Sequence, residues 1–63
     1  MEEKHWLELD LIGQRMVVAK RLLAKAEEYG AQHDAQRFRA EIAALNRQRE
    51  NVIISIAEFS VAA

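Results

Sequence analysis

Histidine, hydroxyl and carboxylate side chains are the only groups in this chain able to act as bases, nucleophiles or metal ligands, because cysteine is absent. The histidines, His5 and His33, lie 28 residues apart, in no spacing that would hold a metal ion. Threonine is missing, and the remaining hydroxyls belong to Tyr29, Ser55 and Ser60. None has a histidine beside it in sequence to take its proton, which nucleophilic catalysis requires. The carboxylate pairs Glu2-Glu3 and Glu27-Glu28 are adjacent residues, so on a helix they point about 100° apart and cannot share a substrate. Two isolated glycines, Gly13 and Gly30, make no phosphate-cradling loop. These features predict no enzyme, no cofactor and no metal.

The cations leave more to weigh. Arg49 interrupts a run of apolar positions at helical spacing. Its stem can pack while its head reaches water or a carboxylate. Together with Arg15, at nearly the same height of a folded hairpin, it can instead form a polar layer that fixes register or oligomeric state. A ligand-binding role is the third option. Local acceptors for the pair are Glu8, Asp10, Gln14 and Glu50. Lys20, Arg21, Lys25, Arg37 and Arg39 gather toward the middle of the sequence and suggest a basic collar, the footprint of a nucleic-acid surface. Glu27, Glu28, Asp34 and Glu41 share that zone and dilute it. The formal net charge of −1 likewise signals no polyanionic partner.

The elements that would position these residues are helices. Proline is absent, and alanine, leucine, glutamate, glutamine and arginine dominate. Gly30 is the single plausible break, suited to the left-handed conformation that ends a helix. Asp34 suits the N-cap of a following helix. The expectation is a helix over about 2–29, a turn over about 30–33 and a helix over about 34–61, in one domain spanning residues 1–63. Leu9, Ile12, Met16, Ala19, Leu23 and Ala26 alternate steps of three and four. So do Ala31, Ala35, Phe38, Ile42, Leu45, Arg49, Val52, Ile56, Phe59 and Ala63. Such seams are what two antiparallel helices need to pack. Folding at Gly30 pairs positions whose numbers sum to about 63–65. Leu45 then meets Ala19, Val52 meets Ile12, Ile56 meets Leu9, and Phe59 approaches Trp6.

The first helix carries more apolar surface than one neighbour covers. Leu11, Val18, Leu22 and Tyr29 flank its seam and widen the stripe to about 160°. Leu7 and Val17 lie further out, and Ile53 and Ile54 lie off the second seam. Contiguous exposed patches of that kind are rare on monomers. The fold class expected is therefore an all-α antiparallel two-helix hairpin that dimerises into a four-helix bundle. Leu11, Val18, Leu22, Tyr29 and Ile53 form the expected oligomer or partner interface. A homo-oligomer, with a dimer favoured, or a partner protein follows, and nucleic acid is not the leading partner. The acidic start, Met1 to Lys4, predicts no signal peptide. The longest nearly apolar run, Val52–Ala57, is too short to enter a membrane, and a cytoplasmic location is expected. The function these features support is a small protein–protein interaction module: an adaptor, regulator or co-chaperone. The alternative is a dimeric nucleic-acid-binding regulator using the basic collar. The terminal Ser60-Val61-Ala62-Ala63 reads as a fraying helix end, with Ala-Ala similar to tails read by bacterial ATP-dependent proteases.

In size and architecture the chain resembles the plasmid-encoded RNA-binding hairpins that pair into four-helix bundles. No basic-aromatic face accompanies that resemblance, so it implies architecture alone. The glycine-containing turn, the polar start of the second helix and the stretch Val52-Ile53-Ile54-Ser55-Ile56-Ala57 resemble the small hairpin co-chaperones of type III secretion needles. That likeness covers roughly the last 30 residues. No functional residue is carried over from either family.

Overall fold

Strong helix formers run unbroken on either side of Gly30, and the chain folds accordingly into α1, Glu2–Glu28, and α2, Gln32–Ala62. This computed structural model describes the backbone of residues 2–62 and the side chains of residues 3–58. The approach of Phe59 to Trp6, and the side chains of the Ser60–Ala63 tail, lie outside the described residues.

Gly30 has φ 71°, inside the left-handed region. Its amide donates to the carbonyl of Glu27 at 3.2 Å, and the amide of Ala31 donates to the carbonyl of Ala26 at 2.8 Å. That pair of bonds is the Schellman arrangement, which satisfies carbonyls left open by the last turn of α1. The turn is tighter than the sequence suggests. Tyr29 belongs to it rather than to α1, and α2 begins at Gln32, not at Asp34. Ala31 stands at the N-cap, its carbonyl accepting from the Ala35 amide at 2.9 Å. Asp34 lies within the first turn of α2, where its charge favours the helix N-terminus without capping it. The physical reason is the Schellman turn itself, which delivers the chain into helical geometry right after Gly30.

The two seams meet as their spacing requires. Ile12, Met16, Ala19, Leu45 and Val52 form the buried cluster, with Leu9, Ile42 and Ile56 packed against it. Ala26 and Ala35 are buried nearer the turn, where Leu23 and Phe38 are half-buried. Alanine at these places lets the helices approach closely where Phe38 adds bulk. Among the described residues no polar or charged side chain is buried, so the buried part of the seam is apolar.

A single pair of helices makes a thin molecule. Its Cα extents are 50 × 15 × 10 Å, and its radius of gyration is 14.7 Å. A compact chain of this length would have a radius near 11 Å. The accessible surface is 5097 Å², against about 4100 Å² expected for a compact monomer of this mass.

Candidate interaction surface

Residues that precede the α1 seam residues by one position, about a quarter turn, stay largely exposed in the hairpin. Leu11 is 53% exposed, Val18 53%, Leu22 42% and Tyr29 77%. Leu7 continues the row toward the start of α1 and is exposed as well. At about 100° per residue, the four of α1 fall within a narrow stripe, and Tyr29, at the C-cap with its amide bonded to the Lys25 carbonyl at 3.1 Å, continues it. The stripe lies about 100° from the buried seam, which is why α2 cannot cover both.

The hairpin has two broad faces, and side-chain neighbours identify which residues share each. A groove of about 320 Å³ is lined by Glu8, Leu11, Arg15, Gln48 and Asn51, with Ile12 and Val52 at its floor. The α1 stripe therefore lies on the same face as the polar flank of α2. On the opposite face the Arg39 guanidinium donates to Glu27 at 2.8 Å. Ile53 lies two residues beyond Asn51, about 160° around α2 from it, and so joins the Arg39 face. The stripe and Ile53 thus belong to opposite faces, not to one continuous surface. Sequence spacing within each helix could not reveal this, because it depends on how the two helices are rotated against each other. Trp6, Val17 and Ile53 are exposed on that second face, while Ile54 points outward from the back of α2.

Arg15 and Arg49 are both exposed, and neither forms an ion pair among the described residues. Within one chain they make no buried polar layer. Of the acceptors near them, Asp10 accepts instead from the Gln14 amide at 3.3 Å. The basic set is dispersed. Arg37 and Arg39 point about 160° apart. Arg37 lies 5.5 Å over the ring of Phe38, Arg39 is paired with Glu27, and Lys25 lies 3.8 Å from Glu28. Lys20 and Arg21 are exposed on α1. His5 is half-buried and His33 exposed. Among the described residues no group of three potential metal ligands comes together, and no helix is long and apolar enough to cross a membrane.

Two features of the surface escaped the reading of apolar spacing. Lys4 and Glu8 continue the stripe at its own period, and Gln48, Asn51 and Ser55 make the adjoining flank of α2 polar. The signal for the first was present in the alternating steps of four and three, obscured because charged residues occupy those positions. No family model, curated protein or solved structure matches this chain.

Proposed function

We propose that this protein is a helical protein–protein interaction module whose working surface is the exposed apolar stripe of α1. The observation that carries this reading is the row Leu7, Leu11, Val18, Leu22 and Tyr29, all exposed while the seam beside them is filled. Fully burying one such aliphatic side chain contributes roughly 1.5–3 kcal/mol. Helix-in-groove and helix-on-helix recognition use anchors at this spacing. Adaptor, regulator and co-chaperone roles all act through such a surface. The cations are scattered, two of them paired with carboxylates, and give nucleic-acid binding no comparable patch.

A photo-crosslinking residue at position 18 tests the reading in native lysate, with position 43 on the outer side of α2 as control. Protein adducts should form from position 18 and be sparse from position 43. Equal yields from both positions, or adducts with nucleic acid alone, would sink it. Val18→Lys is the companion variant. Sedimentation should show it losing whatever assembly the native chain forms.

A further inference from the structure

We infer that the stripe of α1 is covered by a second copy of this chain, its α1 running antiparallel to the first, with the two-fold axis passing between Arg15 and Val18. The inference rests on the reading of the stripe as an interaction surface and names its occupant.

The stripe follows a strict heptad rhythm. Lys4, Glu8, Leu11, Arg15, Val18, Leu22, Lys25 and Tyr29 follow one another in alternating steps of four and three, and all are exposed. In a coiled coil these are the seam positions, and in an antiparallel pair each layer joins an a position to a d position of the partner. One register satisfies this rule while joining residues whose numbers sum to 33. It sets Leu11 against the partner's Leu22 and Arg15 against the partner's Val18. It also sets Glu8 against the partner's Lys25, and Tyr29 against the partner's Lys4. Every layer then occurs twice about the two-fold axis. The outer charges meet their opposites, the ammonium of Lys4 meets an aromatic face, and the central leucines bury each other.

A parallel pair fails on the same residues. It would place Lys4, Glu8, Arg15 and Lys25 each against its own copy, like charge against like in four layers. Charge pattern therefore selects both the occupant and its direction. A foreign helix would need no such self-complementarity within one stripe.

Two observations of shape agree. The groove beside Leu11 and Arg15 lies at the height where this register brings the partner's Leu22 and Val18. The molecule also exposes about 1000 Å² more surface than a compact monomer of its mass, close to what each partner contributes to a standard interface, roughly 800 Å². Because Gln48, Asn51 and Ser55 make the neighbouring flank of α2 polar, the contact centres on the two α1 helices. The α2 helices contribute to it only the wall of that groove, Gln48 and Asn51.

Engineered cysteines read the register directly, since the chain has none of its own. Leu11→Cys and Leu22→Cys chains are mixed in equal amounts and oxidised in a glutathione buffer, and the products are resolved by intact mass. The mixed 11–22 disulfide should exceed both same-site products severalfold. Glu8→Lys and Lys25→Glu should each raise the dimer Kd about tenfold, and the double variant should return it to within about threefold of native. Both sites are exposed, and helicity by circular dichroism confirms that the hairpin persists. Dominant same-site disulfides, or no rescue in the double variant, would overturn the antiparallel register. A native chain that sediments as a monomer at high micromolar concentration would overturn the second copy. In that case foreign protein adducts from position 18 would leave the interaction surface standing.

Discussion

Arg49 occupies the phase of an apolar seam yet keeps its side chain in solvent. Met16, at nearly the same height on α1, is buried and fills the layer that a seam leucine would otherwise share. The arginine therefore resembles a tolerated stem more than a structural charge. Arg49→Leu should raise the stability of the hairpin by about 0.5–1 kcal/mol, as added methyl groups cover the neighbouring seam. Urea denaturation checks it. A loss of stability would reveal a partner for the guanidinium outside this chain. Residue identity thus announced where a side chain sits but not how far it is covered. The alternation of Leu9, Ile12, Met16, Ala19, Leu23 and Ala26 marked every one of the buried and half-buried seam positions of α1 it named. The exposure of Arg49 and the separation of Ile53 from Leu11 were invisible, since both depend on the neighbouring helix.

At the scale of the helix, termination and continuity obey different rules. Gly30 is required by geometry: its positive φ is one that side-chain-bearing residues adopt only at a cost. The carbonyls of Ala26 and Glu27 find partners only through that turn. The break was legible because one glycine stood between two periodic runs. The start of α2 was not, since Ala31 offers no capping oxygen and Asp34, the stronger capping residue, lies within the first turn. Gly13 is the contrasting case. It sits inside α1 with ordinary helical backbone, and a methyl group added there meets nothing within 4 Å. Glycine in a helix interior costs about 1 kcal/mol relative to alanine. Gly13→Ala should therefore stabilise the protein by about that amount, seen as a higher urea midpoint with an unchanged slope. If the variant were instead less stable or poorly assembled, the face shared by Trp6, Gly13 and Val17 would have to be covered by a close neighbour.

The whole molecule is one layer of packing thick. Its buried cluster contains Ile12, Met16, Leu45 and Val52, but among the described residues no large side chain is completely shielded, and a chain this small needs further support. No disulfide is available, and the proposed association through α1 would supply that support. Folding and assembly should then be one equilibrium, and the thermal midpoint should climb with protein concentration. For a dimer of this size, a hundredfold rise in concentration should lift the midpoint by about 5–10 °C. The dependence should persist in 1 M salt, where exposed charges more than about 3 Å apart are screened. The Leu11–Leu22 layers lose nothing there, and only the Glu8–Lys25 layers weaken. Val18→Lys should abolish the dependence, because an ammonium would be set against the partner's Arg15 in both central layers. Calorimetry over a concentration series supplies the measurement. A midpoint that stayed flat from low to high micromolar concentration would mean that the thin hairpin is stable by itself, and the α1 stripe would then serve only a partner of different sequence.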